Sequence, residues 1–514
     1  MQSKSTKSLQ LPYKNTIMTT THKGRAGFLL GGIVLLGSLL RFLLLSHKSL
    51  WTGETFSVWT ARLDWTHFLT VLSEEPYMML YYVLLRFWLV LGDTEVAIRS
   101  LTATFSVATI PLLYALGARL FGRRVGLIGA LLLAVNAFHI AQAQNARSYS
   151  LLVFFVTASS FFFVKSIEQP TTPRHWIGYV LSSALSVYSH AFAALVLLAQ
   201  VTSLVCLPRR DVPWKKLVWS LLSIGFLLLP LAVVVLMGGA NRFTWISEPS
   251  LYTVLRTFSA LAGAGGPFLL AIYLLCCLIT PVQAIGAKSS ITTPGGVWRY
   301  GFLLLWLFLP FILTLAGSVL TPALSVRYMI ICLPPTVLLA AVGIARLRSL
   351  WMVAVTICIV VSFASYGIYK YHRHPNDDWR SATSHIISKA QRHDAALFYW
   401  REDVISFDYY RQRFNGFSDR PTVVFPPPSQ THYSMFFTNE VRKVPPSGVL
   451  LDDLPSRYRR VWLITTWEDS ATVQTIRESL ARHYHTVEKI EFPGVTVFLY
   501  SQRQVEGPTS LRTV

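Results

Sequence analysis

Eleven apolar runs, each close to the length a helix needs to cross a bilayer, constrain this chain more than any single motif does. They fall at 27–46, 98–118, 125–142, 149–165, 176–190, 191–206, 217–237, 264–283, 298–320, 326–345 and 350–371. With 53% hydrophobic and only 14% charged residues in 514, the composition excludes an ordinary soluble protein and implies a polytopic membrane chain. The spans are read as free of deeply placed ionisable residues, which, with the lack of an internal repeat, argues against a coupled transporter.

The formal net charge of +21 sits largely between the apolar runs. Basic loops at 119–124, 165–174, 209–216, 288–299 and 346–348 all land on the side of the basic segment 1–26, so that segment is expected to be a retained cytoplasmic tail. This parity requires the stretch 77–92 to be interfacial or re-entrant, and its aromatic and cationic residues suit headgroup level. Lys and Arg so placed meet anionic lipid, and nucleic acid is excluded as a partner. The five cysteines lie in or beside apolar runs and have no metal-ligand spacing.

From about residue 372 charge and Pro return and the spans cease. The transmembrane domain is therefore placed at 27–371, a small extracytoplasmic α/β domain at 372–503 and a disordered tail at 504–514. Strands are expected at 395–400, 422–425, 461–466 and 495–500, and helices at 379–392 and 471–483.

On this topology the outer ends of the spans gather Glu54, Glu74, Glu75, the run Gln144-Asn145-Ala146-Arg147, His190 and Arg327-Tyr328. A carboxylate at a membrane surface is costly unless paired or solvated, so Glu54 and Glu75 are the candidate catalytic acids. Arg147, Arg327 and Tyr328 are candidate partners of a donor phosphate, since Arg neutralises charge on a departing oxygen. Tyr81, Tyr82 and His190 are candidate substrate contacts. Each has a structural alternative: Glu54 as a helix cap, the arginines as snorkelling flanks, His190 as an interface residue, Tyr81 and Tyr82 as a membrane belt.

The order of these pieces resembles the dolichyl-phosphate-mannose protein mannosyltransferases and their bacterial relatives, membrane glycosyltransferases of GT-C type. The resemblance covers 27 to about 370. A Ser-Leu-Trp-x-Asp-Glu loop is matched by Ser49-Leu50-Trp51-Thr52-Gly53-Glu54, and a Pro-containing Leu-Tyr-Tyr segment by Pro76 to Tyr82. A Leu-Phe-Gly-Arg-Arg turn is matched by Leu120 to Arg124, and Gln-Glu-Ala-Arg-x-Tyr by Gln144 to Tyr149. The last match, an Arg-Tyr before a Pro-Pro span, is Arg327-Tyr328 with Pro334-Pro335.

The resemblance implies an all-α polytopic fold of about eleven transmembrane helices plus outer juxtamembrane helices. It implies inverting transfer of a sugar from a polyprenyl-phosphate donor to an envelope glycan, lipid or protein at the outer face of the cell membrane. Arg147, Arg327 and Tyr328 would hold the departing phosphate. No cofactor is implied; the one metal reading is a divalent ion between Glu54 and Glu75. Gly53 stands where the family has its catalytic Asp, Asn145 where it has Glu, and Tyr77-Met78-Met79 where many relatives have His-Pro-Pro. Losing a positioned base typically costs on the order of 10² to 10⁴ in rate. The alternative is therefore a catalytically degenerate lipid-glycan binding or partner subunit.

Overall fold

A computed structural model describes residues 20–74, 76–237, 248–286, 294–398, 400, 402–414, 421–425, 448–466 and 471–502. Glu75, most of the basic segment 1–26 and the tail 504–514 lie outside the described residues. The chain divides into two compact units: Met1–Leu43, Pro76–Tyr81 and Arg99–Arg373 form one, and Leu44–Glu75, Tyr82–Ile98 and His374–Val514 the other.

Every expected apolar run lies on a helix or a pair of helices. Among the described residues, seven helices are long and apolar enough to cross a membrane alone, or eight if the bent pair Arg123–Ala134 and Ala137–Ala143 counts as one span. The run 264–283 lies on the 20-residue helix Pro267–Gly286, and the runs 176–190 and 191–206 make shorter helices. Ala193–Ser203 has 11 residues, a rise of about 17 Å against a hydrocarbon core of about 30 Å. The α-helical part of the 77–92 stretch, Met79–Trp88, has 10 and is likewise too short to cross unaided.

The first unit is organised around Leu333–Ala345, in which every residue from Leu333 to Ile344 is buried. A helix buried on all sides has no solvent or lipid face, so it takes the centre of the bundle. Small residues let neighbours close on it: a Cβ at Gly343 would collide with the backbone of Cys276, and one at Gly129 would lie 3.1 Å from Leu338. Polar seams join other helices, with Gln200 donating to Ser159 and Ser160 (3.1 Å each) and Ser159 bonded to Ser183 at 2.8 Å.

One expectation is overturned here. Arg41, inside the first apolar run, is fully buried, and His139 is buried beside it. The Arg41 guanidinium donates to Gly37 O (3.0 Å), Ala134 O (2.8 Å), Leu133 O (3.0 Å), Ser106 Oγ (2.7 Å) and His139 Nδ1 (2.9 Å). Leu133 and Ala134 end a helix at the 60° bend, where carbonyls lack helical partners and the helix dipole is negative. Arg41 caps that end, which is why a buried cation is tolerated in the last turn of the first long helix. Asn136 caps the next helix from the other side, accepting from His139 N–H at 2.9 Å.

The second unit contains the helices Thr52–Arg62 and Trp65–Glu74 and a five-stranded sheet. The strands are β1 Ala395–Phe398, β2 Thr422–Phe425, β3 Arg460–Thr465, β4 Tyr484–Phe492 and β5 Val495–Gln502, in the order β2-β1-β3-β5-β4. β1 runs parallel to β2 and β3, while β5 is antiparallel to β3 and β4. Val461 to Ile464 are all buried, the pattern of a central strand covered on both faces. Leu451, Leu454, Ile476 and Leu480 pack in one core with Ala395, Leu397 and Leu463. Gly494 takes φ +71° in the β4–β5 turn, a conformation that disfavours any side chain.

Candidate functional site

The candidate residues divide between the two units, and each group is built by helix ends. In the first unit, Tyr149 opens the helix Tyr149–Glu168, His190 closes Pro173–Ser189, and Tyr328 begins the short 3₁₀ turn that leads into Leu333–Ala345. His190 ends its helix by turning extended, at φ −167° and ψ 133°. The rings meet: His190 is 4.5 Å from Tyr328, 5.3 Å from Phe192 and 6.3 Å from Tyr149 between centroids, and Phe192 is 5.0 Å from Tyr328. The Phe192 N–H donates to His190 Nδ1 at 3.3 Å, so the neutral ring carries its proton on Nε2.

Arg147 lies close enough for its charge to act on the His190 ring, and is half-buried in the turn between Ala137–Ala143 and Tyr149–Glu168. Arg327 is exposed at the start of the Tyr328–Cys332 turn. Segments far apart in sequence thus bring Arg147, Tyr149, His190 and Tyr328 together. The motif's Gln144 does other work, donating to the carbonyls of Leu40, Arg41 and Leu43 (3.3, 3.3 and 2.9 Å) and so closing the first long helix. Phe192 also lines an apolar cleft of about 700 Å³, with Tyr77, Ala191, Leu236, Leu313 and Ala323 among the other walls. A cleft of this character accepts a hydrocarbon chain.

In the second unit, the loop leads into the helix Thr52–Arg62. Glu54 is fully buried, and its Oε2 accepts the Trp51 N–H at 3.3 Å, half of a capping box. The Trp51 ring lies over position 53, where a Cβ would sit 2.7 and 2.8 Å from Cζ3 and Cζ2. Thr52 donates to Asp403 Oδ1 at 3.3 Å, and Thr55 and Ser406 hydroxyls are 2.8 Å apart. Ser49 Oγ and Leu50 N–H both donate to Tyr410 Oη, at 3.1 and 2.7 Å, and Tyr410 donates to Glu95 at 2.6 Å. Burial, with Glu95 beside it, pushes the Tyr410 phenol upward, keeping it a neutral donor.

Tyr81 and Tyr82 are both fully buried, Tyr81 in the first unit and Tyr82 in the second. Among the described residues no group of three or more His, Cys, Asp or Glu gathers to hold a metal. Asp403, Tyr410 and Phe192 were not singled out by the sequence. Thr52 and Asp403 are 351 residues apart, and no local pattern links them.

Residues 74–237 match the family described as Dolichyl-phosphate-mannose-protein mannosyltransferase. No curated protein matches the chain significantly. Among solved structures, ArnT from Cupriavidus metallidurans bound to undecaprenyl phosphate is similar at TM-score 0.60 and 13% identity, over 93% of this chain and 98% of that one. The archaeal oligosaccharyltransferase AglB from Archaeoglobus fulgidus, in complex with an inhibitory peptide and a dolichol-phosphate, is similar at TM-score 0.50 and 11% identity, over 96% and 76%. At these identities the likeness is one of fold. The chain is a multi-pass membrane protein of GT-C architecture that carries a protein-mannosyltransferase-like region at residues 74–237.

Proposed function

We propose that the protein transfers a sugar from a polyprenyl-phosphate-linked donor to an envelope lipid, glycan or protein acceptor at the outer face of the cell membrane. The observation that carries this reading is the meeting of the Tyr149, Phe192 and Tyr328 rings around His190, which feels the charge of Arg147, with the Phe192 ring also lining the apolar cleft. The cleft suits a polyprenyl tail and the polar cluster beside it a phosphate. When the bond from the sugar's anomeric carbon to the phosphate oxygen breaks, the electron pair stays on the phosphate. Arg147 and Arg327 neutralise that charge and Tyr328 donates a hydrogen bond to it. Glu54, the acid that remains in the loop, takes the acceptor's proton; Glu75, the second candidate acid, lies outside the described residues. The distribution of the basic loops supports an N-terminus in the cytoplasm and a C-terminal domain outside.

A second reading, a donor-binding subunit without turnover, is favoured by the burial of Glu54 as a helix cap and by the Trp51 ring over position 53. Both readings need the phosphate clamp. The double variant Arg147→Ala, Arg327→Ala is expected to lose polyprenyl phosphate affinity by on the order of 100-fold, the effect of two charge-assisted contacts. Undiminished affinity sinks the clamp.

A further inference from the structure

The sheet of the second unit reverses its winding at β1, which has β2 on one side and β3 on the other, all parallel. In open α/β sheets the crevice beyond the carboxyl ends of such strands is where a ligand binds. Here the chain's own loop is held there. Asp403 opens the helix Asp403–Arg411 that follows β1, and Thr466 follows β3. The Asp403 carboxyl accepts from Thr466 Oγ1 at 3.0 Å through Oδ2 and from Thr52 Oγ1 at 3.3 Å through Oδ1. Ser406 and Tyr410, on the same helix, take Thr55, Ser49 and Leu50.

We propose that Asp403 is a positioning residue for the loop, fixing Thr52 and through it the orientation of Gly53 and Glu54. The inference rests on the transfer reading above for its consequence in turnover, and on the geometry alone for its consequence in loop order. Asp403 is 3% exposed. Burial, with Glu402 and Asp377 adding like charge, holds its pKa well above the usual carboxylate range against the two hydroxyl bonds. The other titratable and charged groups on the packed elements have partners: Glu54 turns back to Trp51 N–H, Asp408 and Arg411 pair at 2.8 Å, Arg62 pairs with Asp93, Arg380 with Glu95, His385 and Lys389 with Glu488, and Arg460 with Asp394. Accepting from both hydroxyls, one through each oxygen, the Asp403 carboxyl ties Thr52 to Thr466.

The test uses the full chain in lipid nanodiscs. Hydrogen exchange of the 49–57 segment and polyprenyl phosphate release are followed from acid to alkaline pH, with polyprenyl phosphate affinity measured beside them. Asp403→Ala and Thr52→Val are each expected to speed exchange of the segment roughly tenfold and to lower turnover in parallel, with affinity unchanged. Asp403→Asn, whose amide accepts from one hydroxyl and donates to the other, is expected to stay within about twofold of the parent and to remove the pH dependence of the segment's protection relative to its intrinsic exchange rate. Exchange unaltered in both Asp403→Ala and Thr52→Val overturns the inference. A parent protein that releases no polyprenyl phosphate overturns the transfer reading alone, because the exchange result still decides the role of Asp403.

Discussion

The indole of Trp51 occupies the space that a side chain at position 53 would enter. Gly53 is at the second position of the Thr52–Arg62 helix, where an acidic side chain gains about 0.3–1 kcal/mol from the helix dipole. Overpacking against a ring typically costs about 1–3 kcal/mol, so the clash outweighs the dipole. Gly53→Asp alone is therefore expected to lower the unfolding midpoint and to leave polyprenyl phosphate release no higher. Paired with Trp51→Ala, it is expected to recover the midpoint and raise release. Release that rises with Gly53→Asp alone contradicts this account of the loop.

Arg41 holds two terminal carbonyls, a serine and a histidine at the bend of a broken span. Arg41→Ala leaves those acceptors buried without their donor, a loss of about 3–5 kcal/mol by analogy with a broken buried network. Arg41→Lys keeps the charge but not the fork and recovers only part. Thermal unfolding in detergent, with Arg41→Ala no less stable than the parent, would remove the capping role.

Asp403 gives the second unit a stability that depends on pH in a known direction. Its folded pKa is raised above the unfolded value of about 4, so between the two the folded state keeps a proton that the unfolded state has released. The contribution is complete below about pH 4 and is lost as pH rises through the folded value. Glu488 runs the other way: the Lys389 ammonium at 2.5 Å lowers its pKa, so its contribution is lost on acidification. Asp403→Asn is expected to flatten the decline above pH 4, read as the unfolding midpoint against pH. An unchanged slope there would assign the decline to other groups.

His190 and Tyr328 stand 4.5 Å apart, with the imidazole fixed by Phe192 N–H. Tyr328→Phe keeps the ring packing and removes one donor, so polyprenyl phosphate affinity is expected to fall roughly tenfold with little change in stability. His190→Ala removes both the ring packing and the Nε2 proton and is expected to lose more in each. Equal and unchanged affinities in the two variants would leave the cluster a packing feature.

Long apolar runs were legible because hydropathy alone reports them, and each falls on a helix. The count of complete crossings was less so, since Pro173–Ser189 and Ala193–Ser203 are short and joined to neighbours by serine and glutamine seams. Four strands follow from apolar runs, whereas β4 was missed. Its polar residues alternate along the sheet's edge, with Lys489 and Glu491 exposed on one face and Glu488 half-buried on the other, and that pattern resembles a loop. Arg41 was invisible because the carbonyls it caps are supplied by a bend about 93 residues away. The polar residues at the ends of the spans were visible in sequence. The partners that hold the loop were not, because Asp403 and Tyr410 reach it only through the fold.

The central claim is transfer from a polyprenyl-phosphate sugar. The most direct measurement is polyprenyl phosphate release by the purified protein in lipid, with a panel of polyprenyl-phosphate sugars and total envelope acceptors, beside Glu54→Gln. The account predicts release by the parent that falls on the order of 10² or more in Glu54→Gln with donor affinity retained. Donor bound with no polyprenyl phosphate released by the parent across the panel would contradict it, and would leave a binding protein on a transferase fold.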